Sequence, residues 1–174
     1  MTLYTQRLLL REMTQDDYQG LCRTLQDPQA MYAYEHAFSP QEVQEWLDKQ
    51  LQRYAQDGFG LWAVLLRQTG ELIGQCGLTW QDWNGRQVLE VGYLFQRSAW
   101  HQGYATEAAL ACRDHAFTAL GAQEVFAIIR DNNVASQAVA RRLGMTLVGE
   151  LVKHYYHMDL PHLVYSIRAD TGIK

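Results

Sequence analysis

The chain has 174 residues, of which 48% are hydrophobic and 20% charged, with a formal net charge of −4. A chain of that size buries a core without disulfides or structural metal, and its composition excludes a mostly disordered protein. The acidic balance speaks against a broad nucleic-acid surface, so none is expected. The charge is uneven. Residues 1–60 hold nine acids and five bases, whereas residues 61–174 hold ten of each. The N-terminal third is therefore expected to meet a cationic partner rather than an anionic one.

In chain order, Arg7 to Met13 reads as a first strand, short and apolar between charges. Thr14 caps a helix, with Asp17 three residues on. Tyr18, Leu21, Cys22 and Leu25 then share one face, and Asp27-Pro28 ends the helix. A second helix starts at Ser39, with Pro40 at the first helical position and Glu42 closing a capping box. Val43, Trp46, Leu47, Leu51 and Tyr54 form its buried side, and Gly58 and Gly60 end it. Strands follow at Leu61–Arg67 and Leu72–Trp80 around the turn Gln68-Thr69-Gly70. A second hairpin turns at Asn84-Gly85 and leads into Val88–Phe95. Arg97–Gly103 is a loop, Tyr104–Leu120 a helix stopped by Gly121, and Val125–Arg130 an apolar strand covered on both faces. Asn133 caps a helix ending at Leu143-Gly144, and strands near Thr146–Tyr156 and Leu163–Arg168 finish the chain. The order β-α-α-β-β-β-α-β-α-β-β describes an α/β domain with a mixed sheet.

No stretch reaches the roughly 18 apolar residues of a membrane span, and the N-terminus is not a signal peptide. Cys22, Cys76 and Cys112 are odd in number, widely spaced and without C-x-x-C, so a disulfide framework and a zinc ribbon are not expected. We read a reduced, cytoplasmic protein. His154, His157, Asp159 and His162 match no strong ligand spacing, and no metal is expected. The sequence lacks G-x-x-x-x-G-K-S/T, H-E-x-x-H and G-x-S-x-G, and Gly103-Tyr104-Ala105 falls short of a dinucleotide fingerprint.

Two segments carry chemistry. Trp100-His101-Gln102-Gly103-Tyr104-Ala105-Thr106 opens a helix with little side chain at Gly103 and Ala105, and free N–H groups at a helix start attract phosphate. Asn133-Val134-Ala135-Ser136 opens another, and side chains lean toward a helix N-terminus, which aims the Ser136 hydroxyl at the mouth beside the preceding strand. Satisfaction of a nearby backbone group by Ser136 is the competing reading.

Together these segments resemble the GCN5-related N-acetyltransferase (GNAT) superfamily, with its Q/R-x-x-G-x-G/A pyrophosphate loop and its N-x-x-S-x-x-V/A-x-x-x-L-G-F/M helix. Arg7-Leu8-Leu9-Leu10-Arg11, Asp16-Asp17, Leu72-Ile73-Gly74, Val91-Gly92-Tyr93 and Trp100–Glu107 are more narrowly similar to the RimJ/RimL branch, which acetylates protein N-terminal amines. The resemblance spans about residues 3–168, with one departure: Trp100 stands where the strict loop motif has Gln or Arg.

The resemblance implies one N-acetyltransferase domain over residues 1–174. Its mixed, mostly antiparallel sheet would be flanked by helices, with the fourth and fifth strands, Val88–Phe95 and Val125–Arg130, splayed. It implies acetyl-CoA as co-substrate, its pantetheine pairing near Tyr93, Leu94 and Phe95. The pyrophosphate would lie on Trp100, His101, Gln102, Gly103, Tyr104, Ala105 and Thr106, with Asn133 on the pantetheine side and Ser136 near the thioester sulfur. Ser136 is the candidate proton donor to the thiolate and Glu90 the candidate base. Tyr34, Glu35 and His36, on the connection between the first two helices, are the candidate acceptor-binding residues. The acceptor is a peptide N-terminal α-amine or a small-molecule amine. A non-catalytic acyl-CoA sensor and an unrelated nucleotide-binding α/β protein are alternatives, and the edge of the last hairpin offers a pairing surface for a homodimer.

Overall fold

Alternation decides how the sheet is covered. In a computed structural model, which describes residues 1–34, 36–155 and 157–170, strand β3 (Leu61–Leu66) turns Leu61 and Ala63 to one face and Trp62 and Val64 to the other. Successive strand residues point to opposite faces, so apolar residues at every position mean that both faces are packed. The first face carries α1 (Tyr18–Leu25) and α2 (Pro40–Asp57), through Leu21, Leu25, Val43 and Leu47. The second carries α3 (Tyr104–Thr118) and α4 (Val134–Arg142), through Ala108, Ala109, Cys112, Ala116, Val139 and Ala140. Alanines along α3 let that helix lie close against the strands.

The remaining strands are β1 (Thr2–Tyr4), β2 (Leu8–Arg11), β4 (Leu72–Trp83), β5 (Arg86–Phe95), β6 (Glu124–Arg130), β7 (Thr146–Tyr155) and β8 (Met158–Arg168). They form one eight-stranded sheet in the order β1-β2-β3-β4-β5-β6-β8-β7. Every neighbouring pair is antiparallel except β5 and β6. This is the mixed, mostly antiparallel architecture expected from the sequence, with β7 as the outer strand of the last hairpin.

Local chemistry accounts for the element ends. Ser39 accepts from the Glu42 N–H while the Glu42 carboxylate takes the Ser39 N–H, the capping box read from the sequence. Asp17 takes the Thr14 N–H and binds Arg11 through both oxygens, at 2.7 and 2.8 Å. Cys76 and Cys112 are buried with their sulfurs 3.5 Å apart, and all three cysteines are free thiols.

Several boundaries differ from the sequence reading. The first strand shortens to Leu8–Arg11, and β1 precedes it, pairing Leu3 with Leu10. Strand β4 runs on to Trp83, because β5 pairs with it up to the turn at Asn84-Gly85. The last strand starts at Met158, not Leu163, and contains Pro161. Its carbonyl accepts from the Asp131 N–H just past the end of β6, so its nitrogen faces the same way, where the ladder has already stopped.

Candidate active site

Strands β5 and β6 run parallel and pair at one position, Glu90 with Phe126. Beyond it they diverge, and β6 keeps its antiparallel ladder with β8. The divergence opens a cleft of about 1280 Å³ between the sheet, α3 and α4. Glu90 sits at the base of the wedge. Its Oε1 accepts the Ile128 N–H at 3.1 Å, a backbone donor that a continued ladder would have given to β5. Burial pushes the Glu90 carboxyl up. Lys153, the Ile128 N–H, Arg53 and Thr79 pull the other way without cancelling it.

Which backbone groups face the cleft follows from the ladder. The Gln96 N–H goes to the Ile73 carbonyl, so alternation turns the main chain of Leu94 toward β4 and that of Tyr93 and Phe95 toward the open side. The Phe95 carbonyl is already occupied, since the Trp100 indole N–H donates to it at 2.9 Å. The main-chain pairing expected over Tyr93–Phe95 therefore narrows to Tyr93 and the Phe95 N–H, while Leu94 contributes its side chain to the lining. The departure at Trp100 has its physical account here: the indole braces the loop against the end of β5.

The loop then delivers the start of α3 to the cleft. Gly103 precedes the helix at φ 79°, a left-handed conformation that glycine adopts without steric cost. Trp100, His101, Gly103, Tyr104, Ala105 and Thr106 all line the cleft. Gln102 does not: its amide donates to the Ser98 carbonyl and its own carbonyl accepts from Arg7. Arg7 also binds Glu107 at 2.7 Å and covers the Tyr104 ring, 4.4 Å from its centroid. Glu107 takes the Thr5 hydroxyl and the Arg7 N–H as well, tying the first turn of α3 to the N-terminal segment.

Across the wedge, Asn133 caps α4. Its Oδ1 accepts from the Ser136 N–H at 3.0 Å and from the Tyr32 hydroxyl at 2.7 Å, so that oxygen is committed within the protein. The Tyr93 hydroxyl donates to the Ser136 carbonyl at 3.0 Å. Burial pushes that phenol up, and it stays protonated at any working pH. Tyr93 and Ser136 thus meet on the cleft wall, one from β5 and one from the first turn of α4.

The far end is built from scattered elements. Tyr34 lies edge-on to Phe38 and Trp46, with centroids 6.4 and 6.0 Å away. Beside them α2 turns Lys49 and Arg53 to the cleft, Lys153 comes from β7 and His162 from β8. Of the predicted acceptor residues, Tyr34 lines this end, and Glu35 lies outside the described residues. His36 binds Glu42 at 2.9 Å at the start of α2 and is not on the cleft wall. The acidic bias of residues 1–60 does not carry over to the cleft: among the described residues its acids are Glu90 and Glu107. Several described acids of the first third serve caps and ion pairs elsewhere, as Asp17 does with Arg11, Asp27 with Arg97 and Glu42 with Ser39.

Sequence reasoning missed Lys49, Arg53, Gln75 and Lys153 as wall residues, and read Trp46 as core or pocket wall without placing it at this end. The spacing of Trp46, Lys49 and Arg53 at i, i+3 and i+7 was the signal that could have found three of them. No group of three or more His, Cys, Asp or Glu suited to a metal occurs among the described residues. His154 pairs with Asp159, and the His162 Nδ1 meets the Leu160 carbonyl at 2.7 Å.

Comparison with known proteins agrees with this geometry. The family profile for the acetyltransferase (GNAT) domain matches residues 7–146. The uncharacterized protein YkkB of Bacillus subtilis is 36% identical over 82% of this chain and 84% of its own. The uncharacterized N-acetyltransferase p20 of Bacillus licheniformis is 30% identical over 86% of this chain and 85% of its own. An acetyltransferase crystal structure from Agrobacterium tumefaciens superimposes with a TM-score of 0.81 at 29% identity, covering 97% of this chain and 95% of that one. The fold is shared with RimL, a ribosomal L7/L12 alpha-N-protein acetyltransferase solved with coenzyme A. Its TM-score is 0.78 at 18% identity, covering 98% of this chain and 99% of that one. With a wedge between its parallel strands and a glycine turn opening α3 beside it, the chain belongs to the GNAT family of acetyltransferases.

Proposed function

We propose that this chain is one acetyltransferase domain, working in the cytoplasm, that moves the acetyl group of acetyl-CoA directly to the N-terminal α-amine of a protein or peptide. The observation that carries the proposal is Glu90, a carboxylate held at the base of the wedge with its ordinary acidity weakened by burial. The shared fold with RimL supports the acceptor class, and the buried free thiols Cys76 and Cys112 suit a reducing compartment.

The pantetheine arm would lie against Tyr93, with its pyrophosphate at the turn from Trp100 to Thr106. The amine nitrogen attacks the thioester carbonyl carbon, the carbon–sulfur bond breaks, and the sulfur leaves as thiolate. The attacking amine must be neutral. About one in ten α-amines is neutral at pH 7, against roughly one in 2,500 lysine amines, which favours an α-amine acceptor. Glu90 takes the proton that the nitrogen sheds, directly or through water. The Ser136 hydroxyl would donate a hydrogen bond to the departing thiolate, which hardly requires an acid, and the protonated Tyr93 phenol at the Ser136 carbonyl fixes the first turn of α4. Holding thioester and amine together supplies much of the acceleration.

The test is thiol release from acetyl-CoA over a panel of N-terminal peptides, lysine ε-amines and small amines, with the acetylated nitrogen located by mass spectrometry. Release with α-amine peptides and acetyl on the terminal nitrogen is expected. CoA binding with no release on any amine sinks the enzymatic reading and leaves a sensor.

A further inference from the structure

The acceptor end of the cleft has a charge that the proposed reaction does not require. Lys49 and Arg53 stand four residues apart on the cleft face of α2, and like charges at that spacing destabilise a helix. Lys153 reaches the same space from β7, across the sheet. None of the three forms an ion pair with a described residue, although Arg53 has Asp57 one turn on and both Arg53 and Lys153 feel Glu90. The Lys49 ammonium is held below its ordinary value by burial first, then by Arg53 and Lys153, so the cations share one neighbourhood. Gln75 borders it. The residue is 1% exposed, its Oε1 accepts from the Trp46 indole, and its Nε2 has no hydrogen-bond partner. A buried amide donor left open on a cleft wall calls for an acceptor atom.

Phosphates of acetyl-CoA do not account for this cluster. Arg53 and Lys153 lie within electrostatic reach of Glu90, and Glu90 precedes Phe95 by five strand residues, about 17 Å from the end that leads into the pyrophosphate loop. A plain cationic amine does not account for it either, since among the described residues three cations face one carboxylate, Glu90.

Resting on the reaction proposed above, we infer that the acceptor is an acidic N-terminus: an α-amine whose following residues carry carboxylates that dock on Lys49, Arg53 and Lys153. The docking sets the α-amine at Glu90, and the residue behind it lies against Tyr34, Phe38 and Trp46. The Gln75 amide then has a carboxylate or carbonyl oxygen to meet.

The experiment uses three peptides sharing a Ser-Ala start and a neutral tail, with Asp-Glu, Gln-Gln or Lys-Lys at the third and fourth positions. Acetyl transfer is measured at low and high salt. The acidic peptide is expected to exceed the basic one by about 30-fold in kcat/KM, mostly through KM, with the gap shrinking in salt. The double variant K49E/K153E, checked for an unchanged melting temperature and CoA affinity, is expected to reverse the order. Equal rates, or a preference for the basic peptide, overturn the inference while leaving N-terminal acetylation intact. If no peptide is acetylated, the reaction proposed above fails, and the charge inference is read from calorimetric titration of the CoA-bound protein with the same peptides. Tighter, salt-sensitive binding of the acidic peptide then upholds it, and equal binding overturns it. Free amino acids and amino-phosphates in the same titration separate a peptide docking site from a general anion site.

Discussion

The two ends of the cleft are made of different material. The end that would hold the cofactor is mostly main chain: the cleft-facing edge of β5, the turn at Gly103 and the first amides of α3. The acceptor end is almost all side chain, gathered from α2, β4, β7 and the connection between α1 and α2. A site made of backbone recognises whatever presents a diphosphate and a strand-like arm, and it varies little with sequence. A site made of side chains discriminates, and it can be rewritten by single substitutions. Glu90 stands where the two meet, on the cofactor strand yet within the field of the acceptor cations.

Replacing Glu90 tests that junction most severely. E90Q keeps an oxygen for the Ile128 N–H, so the wedge should stay open while the base is lost. A fall in kcat of about 10²–10⁴ is expected, with loss of the acidic limb of the pH–rate profile. The stability readout runs the opposite way. Burial raises the folded-state pKa of Glu90, so its contribution to stability is full below the unfolded value and is lost as pH rises through the folded value. At pH 8 the wild type carries the cost of a buried carboxylate that the variant lacks. Melting temperatures should therefore show E90Q at least as stable as wild type at pH 8, with any advantage vanishing below about pH 4. An active E90Q with an unchanged profile removes Glu90 from the chemistry.

The same division explains what the sequence disclosed. Trp100 to Thr106 and Asn133 to Ser136 are contiguous, and a backbone site is written locally as glycine, small residue and cap, so both segments were legible without a fold. The capping boxes at Thr14 and Ser39 and the Asn84-Gly85 turn were legible for the same reason, whereas the splayed strand pair was expected only from the family resemblance. Lys49 and Lys153 are about a hundred residues apart in sequence, and only the sheet order brings α2 and β7 to one space. Summed charge misled for a related reason. The acids of the first third outnumber its bases, yet capping and pairing direct Asp17, Asp27 and Glu42 away from the cleft, while Lys49 and Arg53, with no ion pair among the described residues, face it. The strand through Pro161 was hidden because a proline's place in a ladder depends on where its neighbour ends.

The main-chain end should answer to backbone geometry rather than charge. G103V forces a β-branched residue to φ 79°, where the left-handed conformation costs about 1–2 kcal/mol. Roughly a 10-fold rise in the KM for acetyl-CoA is expected, with the acceptor preference unchanged. A variant that instead loses discrimination between acidic and basic acceptors would show that the two ends are not separate. Y93F is a milder test, since it removes one hydrogen bond to the Ser136 carbonyl, worth about 1 kcal/mol, and loosens the first turn of α4. A few-fold loss in kcat with little change in either KM is expected.

The smallest effect should come from Glu107, which supports the cofactor end from outside. Its carboxylate joins the first turn of α3 to Thr5 and Arg7, and the Arg7 guanidinium lies over Tyr104 in the cleft wall. Burial works to raise its pKa, but the Thr5 hydroxyl, the Arg7 N–H and the Arg7 guanidinium outweigh it and hold the carboxyl below its usual range. A depressed folded-state value means stability that is present above the unfolded value and lost as pH falls through the folded one. E107Q should therefore lower stability by about 1 kcal/mol at pH 7, discounted because Arg7 is 43% exposed. The gap between variant and wild type should close on acidification below about pH 4. Acetyl-CoA KM should rise about two- to three-fold, because the turn at Gly103 loses its outer brace while its own amides remain. An undiminished stability gap at pH 3 would mean that Glu107 acts through packing instead of its charge, and an unmoved KM would confine it to the fold.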